Sequence, residues 1–397
     1  MPSSIPILSK RKECFTMHDM NTLLLVSFAG LLSAGDNWVA TLLLPNIAND
    51  FASTIPQASI VLTAYLIPYG AMQPIYGHYS DQYHKKYVLM LLMCGLSLTT
   101  FLCSVAPSLY TLTAFRFATG LFAAGIVAVS LGILGEHYDR EILPKFVSLF
   151  LGIIFLGQGI SAGIGGIVIQ SFSWRTILAA FSILSLLSFS SLYRLTKKSG
   201  LSAATPFLPS LKTLLEDKQL SLAYLLAFCN GFITLGMYSY LGAYLIEILH
   251  VPYTNTGVLL MLFGVMCFWA GYINKYLLKH FSRDHLVRIG FLSTWAALLL
   301  LIFENTPATL LAIILLGIGY IFIQSILAST ALHTSTHKGL SSGIIGIAIF
   351  GGGGLGTYVN SLILGTFYFP TLILFLLVLE SIIVFASFKI KISGNAV

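Results

Sequence analysis

Nineteen of the 21 Lys and Arg residues occupy every second gap between long apolar runs, and this alternation limits the possible folds more than any other feature of the chain. One side carries Lys10, Arg11 and Lys12, then Lys85 and Lys86, Arg140 and Lys145, and Arg194, Lys197, Lys198, Lys212 and Lys218. Lys275, Lys279, Arg283, Arg288, Lys338, Lys389 and Lys391 complete it, leaving Arg116 and Arg175 outside the pattern. Cationic loops resist translocation, so their side is cytoplasmic, the number of spans is even and both termini lie inside.

With 57% hydrophobic and 9% charged residues, the chain has too little polar surface for water, since a soluble domain is roughly 25% charged. Lipid must be its solvent. The net charge of +7 sits beside apolar spans, where cations meet headgroups and set orientation, so no nucleic-acid partner is expected. Cys14, Cys94, Cys103, Cys229 and Cys267 have no paired spacing, and four of the five lie inside apolar runs. They read as core fillers rather than disulfides or metal ligands. Lys10 to Lys12 ahead of an apolar stretch imitate a secretory signal, but residues 23–48 are too long for one and contain Asp36.

Runs of the roughly 20 residues that a bilayer requires fall at 22–47, 58–79, 87–105, 109–134, 146–171 and 175–193, then at 220–248, 254–278, 286–303, 307–332, 339–367 and 371–388. The expected fold is all-α, with twelve transmembrane helices in two six-helix bundles. The first bundle covers 22–193 and the second 220–388, with a cytoplasmic linker at 194–219 and cytoplasmic tails at 1–21 and 389–397. The linker holds five cations and two prolines. Faint symmetry supports the division: the fifth and eleventh runs are Gly-rich, and the gaps after the second and eighth are short and basic. Internal repeats of this kind are expected of secondary transporters.

The gap after the second span reads Gly77-His-Tyr-Ser-Asp81-Gln-Tyr-His-Lys85-Lys86. It resembles the signature loop of the major facilitator superfamily, G-x-x-x-D-R-x-G-R-R/K, with Gln82 in place of Arg and His84 in place of Gly. The resemblance extends to Asp36 and Leu44-Pro45-Asn46-Ile47 in the first span, to Tyr65 through Gly77 in the second, and to Arg116-Phe-Ala-Thr-Gly120 in the fourth. These elements are similar to those of the drug-efflux, drug:proton antiporter branch. The second half resembles the family by layout. The resemblance implies a conformational gate at Gly77, Asp81, Lys85 and Lys86, in which Gly77 permits close packing and Asp81 engages the start of the eleventh helix. The free N–H groups there, at Lys338 to Ser342, favour a carboxylate by about 0.3 to 1 kcal/mol.

Asp36 lies 13 residues past Leu23 and Arg116 seven past Leu109, which places both about 10 Å below the outer face at 1.5 Å per residue. An ionisable group in hydrocarbon costs roughly 2.5 to 3.5 kcal/mol and is retained mainly where it pairs or lines a cavity. Asp36 and Arg116 are therefore expected to form a proton-coupling pair facing the cavity that the resemblance implies; a purely structural ion pair is the alternative. Glu380, about 14 Å into the twelfth span, reads as a partnered structural residue, and Glu247 as an interfacial one.

Tyr65, Tyr69 and Gln73 recur every fourth residue on the second span, and so share a helix face. On the seventh, Asn230, Thr234 and Tyr238 form one stripe and Tyr240, Tyr244 and Glu247 a neighbouring one. Asn37, Gln158 and Gln324 lie at midplane depths. The candidate substrate-binding set is therefore Asn37, Tyr65, Tyr69, Gln73, Gln158, Asn230, Tyr238, Tyr240 and Gln324, suited to stacking plus a few polar contacts. Interhelical polar glue is the competing account for each. Gly157, Ser161, Gly165 and Gly166 form a small-residue face similar to the antiporter element G-x3-G-P-x2-G-G, with Ser161-Ala162 in place of Gly-Pro. Gly351 to Gly354 offers either a flexible point or a packing surface.

There is no G-x-x-x-x-G-K-[ST], H-E-x-x-H or C-x-x-C. Gly159-Ile-Ser161-Ala-Gly163 matches a nucleophile elbow in letters but lies in mid-helix. No catalytic residue, metal or cofactor is expected, and the energy source is a proton gradient. The expected function is proton-coupled efflux of small amphipathic organic compounds by a monomeric, multi-pass carrier of a bacterial-type inner membrane. The alternatives are export or proton symport of one metabolite (a siderophore, sugar or amino-acid derivative) and a transporter-like receptor that binds without translocating.

Overall fold

The computed structural model describes residues 17–79, 83–138, 143–195, 207–278, 280–334 and 338–389. The helices that cross the molecule are α1 (Met17–Asp50), α2 (Ile60–Tyr79), α3 (Lys85–Ser104), α4 (Leu109–His137), α5 (Leu143–Ser171), α6 (Trp174–Ser191), α7 (Lys218–Ile248), α8 (Tyr253–Leu277), α9 (Arg283–Leu301), α10 (Thr306–Thr334), α11 (338–366) and α12 (Phe369–Lys389). Eleven of them are long and apolar enough to cross a membrane. The twelfth, α2, matches them in length, but its tyrosines, Pro68, Pro74 and Gln73 lower its hydropathy. A short helix, Phe207–Glu216, occupies part of the expected linker.

Helix starts follow side-chain chemistry. Ser108 and Thr111 cap α4 reciprocally, Ser173 caps α6, Asp217 accepts from the N–H groups of Gln219 and Leu220 at the start of α7, and Ser282 caps α9. Such caps satisfy amide groups that have no intrahelical acceptor. The outward face of α12 shows the expected lipid stripe, with Leu374, Val378, Ile382 and Phe385 exposed at spacings of three and four.

Two bundles repeat one packing scheme. In the first, α2 packs on α4, α1 on α5, and α3 on both α4 and α6; in the second, α8 packs on α10, α7 on α11, and α9 on both α10 and α12. Adding six to each helix number converts one list into the other. The bundles meet where α5 crosses α8, α2 crosses α11 and α1 crosses α7. The α5/α8 seam rests on glycine: a Cβ at Gly166 would lie 3.0 Å from Gly257 Cα, and one at Gly264 would lie 3.0 Å from Gly159 Cα. The two pairs share one antiparallel register, so backbones touch where side chains would hold the bundles apart.

α7 and α11 are not uniform helices. Each contains a widened, π-helical turn, at Gly231–Leu235 and Ile347–Gly351, and α7 has another at Tyr244–Ile248. The first two face each other so closely that a Cβ at Gly231 would collide with the Ile349 carbonyl oxygen. The glycines after the α11 turn are packed on several sides, Gly352 on Phe228, Gly353 on Leu235 and Gly354 on Ile67. The Gly351 to Gly354 run therefore serves packing beside a widened turn.

Candidate functional site

Asp36 of α1 and Arg116 of α4 are 1% and 2% exposed and meet at 3.0 Å, Arg116 Nη1 donating to Asp36 Oδ2. Arg116 Nη2 also donates to the Asp36 backbone oxygen at 3.3 Å. The guanidinium lies 4.7 Å from the centroid of the Tyr65 ring, a cation–π contact. Tyr65 stacks on Tyr69 at 5.6 Å and donates its hydroxyl to the Ser33 carbonyl at 3.3 Å. Gly120, one turn beyond Arg116, sets this height: a Cβ there would collide with the Tyr65 carbonyl oxygen, so α4 presses onto α2.

The pair keeps spare bonding capacity. Arg116 Nε has no hydrogen-bond partner among the described residues, and the Thr100 hydroxyl lies within reach of the Asp36 carboxylate. A buried donor or acceptor left unmade costs about 1–3 kcal/mol, so the site holds an ion pair that can still take a further polar group. The second cation outside the charge alternation is paired as well, Arg175 Nη2 lying 2.9 Å from Asp50 Oδ2 beside Trp174. Both departures from the charge pattern are thus neutralised locally.

Aromatic rings fill the space between the bundles. Trp38, two residues beyond Asp36, meets Tyr238 edge-on at 4.6 Å and Phe263 at 6.1 Å. Phe263 also contacts Tyr238 at 4.5 Å and Tyr320 at 5.9 Å. A cavity of about 10 Å³ remains beside them, lined by Asn37, Trp38, Thr41, Leu62, Leu66, Leu235 and Ser239, which is the room of about one water. A larger cleft lined by Phe51, Gln57, Ile60 and Pro107 to Tyr110 lies at helix ends, and an apolar one lined by Leu31, Leu32, Gly157, Ser161, Ile177 and Phe181 lies between α1, α5 and α6.

The candidate binding residues divide by location. Asn37 and Tyr238 border the central aromatic cluster, and Gln158 of α5 and Gln324 of α10 each keep a carbonyl oxygen without a hydrogen-bond partner. Tyr65 holds Arg116, while Tyr69 meets Phe350 of α11 edge-on at 4.6 Å. Gln73 is pressed against Gly346 of α11. Asn230 donates to the Tyr320 carbonyl at 3.4 Å and accepts from Thr234 at 3.2 Å, whereas Tyr238 donates to the Leu260 carbonyl at 3.4 Å. The neighbouring stripe splits: Tyr240 reaches Ser59 across the bundles, Tyr244 donates to the Leu301 carbonyl on α9, and Glu247 is exposed.

Of the gate residues, Asp81 lies outside the described residues. Gly77 stands near the end of α2, and Pro74, one turn before it, abuts Gly343 of α11 closely enough to exclude a Cβ. Lys85 is buried with its stem against Gly132. Lys86 donates to the carbonyl oxygens of Tyr193 at 2.8 Å and Leu195 at 2.7 Å, capping the end of α6 within its own bundle. Of the small-residue face on α5, Gly157 meets Leu31 and Gly165 meets Val39, both on α1, whereas Gly166 meets α8. Glu380 departs from expectation: it is 1% exposed, yet among the described residues Oε1 has no hydrogen-bond partner. Among the described residues no group of three or more His, Cys, Asp or Glu side chains could hold a metal.

Sequence reading missed Trp38, Phe263 and Tyr320, because single aromatics within apolar runs carry no periodic signal. It also missed Gly257 and Gly264, although their seven-residue spacing mirrors that of Gly159 and Gly166.

The family model of the Major Facilitator Superfamily matches residues 26–357. The chain belongs to the Major Facilitator Superfamily. Among curated relatives of this facilitator, the bicyclomycin resistance protein homolog of Haemophilus influenzae is 23% identical over 68% of the chain and 70% of that protein. The multidrug resistance protein fnx1 of Schizosaccharomyces pombe is 29% identical over 43% of the chain, and the MFS-type transporter pydD of Acremonium sp 28% identical over 38%. The facilitator's match spans 32% of fnx1 and 26% of pydD. Among solved structures, a mutant of the nucleoside transporter NupG superposes with a TM-score of 0.80 at 13% identity, covering 94% of the facilitator and 99% of that chain. A bacterial homologue of the human lysosomal transporter Spinster, solved inward-facing and unoccupied, gives 0.77 at 14% identity over 96% and 100%. These likenesses show a shared fold.

Proposed function

We propose that the chain is a proton-driven exporter of small amphipathic organic compounds, working as a monomer in a bacterial-type inner membrane with both termini in the cytoplasm. The buried Asp36–Arg116 pair carries this reading. Protonating Asp36 removes half of an ion pair in a dry setting, and the freed guanidinium must find other partners. Tyr65 already lies beneath it, and Tyr65 reaches α11 through Tyr69 and Phe350. A proton taken up at Asp36 would thereby bias the α2/α11 seam, and a bistable seam between repeated bundles is the physical basis of alternating access. The proton gradient supplies the work, and no covalent step is required.

Cargo would contact the central aromatic cluster and the spare amides of Asn37, Gln158 and Gln324, while Tyr240, Gln73 and Asn230 hold helices together. The relatives whose names report bicyclomycin or multidrug resistance favour export of drug-like compounds. The test is dye counterflow in proteoliposomes under an imposed pH gradient, comparing wild type with Asp36→Asn. Loss of gradient-driven flux, with downhill exchange retained, supports coupling through Asp36; undiminished driven flux in the variant removes Asp36 from that role.

A further inference from the structure

Glu380 lies eleven residues past Phe369, about 16 Å along α12 and thus near the middle of the bilayer. It is 1% exposed and Oε1 has no hydrogen-bond partner among the described residues. Buried polar groups that serve packing are almost always hydrogen-bonded, so helix glue does not account for this carboxyl. α12 packs on α7, α9 and α11, and among the described residues the titratable groups on those faces leave Glu380 without a counter-ion. On α7, Cys229 is within electrostatic reach, and Tyr244 is engaged with Leu301 and Phe369 near the outer end. On α9, Arg288 donates to the Ser387 carbonyl, seven residues or about 10 Å from Glu380 along α12, and lies over Phe388. Asp284 and His285 lie further inward, and Tyr358 of α11 is exposed. Lys389 of α12 lies against Phe385.

A lone carboxylate costs several kcal/mol in hydrocarbon and is retained mainly where it has a function or a partner. On the facing α7 the widened turn Gly231–Leu235 begins two residues after Cys229 and packs against α12. We propose that Glu380 is a proton-binding site in the second bundle, separate from the Asp36–Arg116 pair. The proposal does not depend on coupling through Asp36.

Dicyclohexylcarbodiimide, an apolar reagent, tests it in native membranes. The Glu380 carboxyl proton passes to a carbodiimide nitrogen while the carboxyl oxygen bonds to the central carbon. Oxygen-to-nitrogen acyl migration then leaves a stable N-acylurea that retains the whole reagent. The expected result is an adduct on the peptide containing Glu380, in wild type and in Asp36→Asn alike, declining as pH is raised. No adduct on that peptide at any pH, or one that does not change with pH, overturns the proposal. Because peptide mass locates the adduct in the wild-type protein, the outcome does not depend on a variant folding. As a second measurement, the protonated-carboxyl C=O stretch in infrared spectra should be lost in Glu380→Gln and kept in Asp36→Asn; an unchanged band in Glu380→Gln counts equally against the site.

Discussion

The Tyr240 hydroxyl lies 2.6 Å from Ser59 Oγ, joining α7 of the second bundle to the turn that opens α2 in the first. The same hydroxyl is 3.1 Å from the Thr357 carbonyl of α11, so one side chain fastens three elements near the outer face. Tyr240→Phe should weaken this fastening by about 0.5–1.5 kcal/mol. Hydrogen exchange at the outer ends of α2 and α7 is expected to quicken roughly two- to tenfold, while exchange in α3 stays unchanged.

Arg116→Gln leaves the Asp36 carboxylate buried without its cation, and breaking a buried pair in this way costs about 3–5 kcal/mol. The double variant Asp36→Asn with Arg116→Gln should be the more stable of the two. Thermal unfolding in detergent checks the order, and a double variant that melts below Arg116→Gln would contradict the ion-pair account.

Gly120 and Gly135 lie on the same helix in opposite circumstances. A Cβ at Gly120 meets the Tyr65 carbonyl, whereas one at Gly135 meets nothing within 4 Å. Gly120→Ala is expected to cost about 1–3 kcal/mol through overpacking, and Gly135→Ala to be neutral or to stabilise by up to about 1 kcal/mol through helix propensity. Melting temperature and detergent-extracted yield should separate the two.

The charge alternation predicts which loops face water on each side. Asn305→Cys, between α9 and α10, should react with an impermeant maleimide in intact cells, and Lys212→Cys should react only after permeabilisation. Labelling of Lys212→Cys in intact cells would invert the topology.

Sequence reading recovered the fold because hydrophobic length and cation placement act over whole segments, and each span is signalled by about twenty residues at once. The Asp36–Arg116 contact was recoverable too, since two ions at equal depth in hydrocarbon have few alternatives to pairing. Finer assignments rested on single residues. Tyr240 and Tyr238 are two positions apart on α7 and belong to different settings, one a fastening between bundles and the other part of the central cluster. Spacing separates them onto two stripes, but what each stripe meets is decided by the side chains that other helices present. Glu380 shows the same limit: its depth was readable, but the absence of a partner depends on which side chains three other helices present.

The ring cluster of Trp38, Tyr238, Phe263 and Tyr320 has a consequence for selectivity. On the proposed reading, a guest entering between the bundles would displace edge-on and tilted ring neighbours instead of bulk solvent, and its affinity would be the difference between two sets of π contacts. Flat, polarisable molecules can repay what they break, whereas compact aliphatic ones of equal hydrophobicity cannot. Discrimination at such a centre would follow shape and electron distribution before it followed partition into oil.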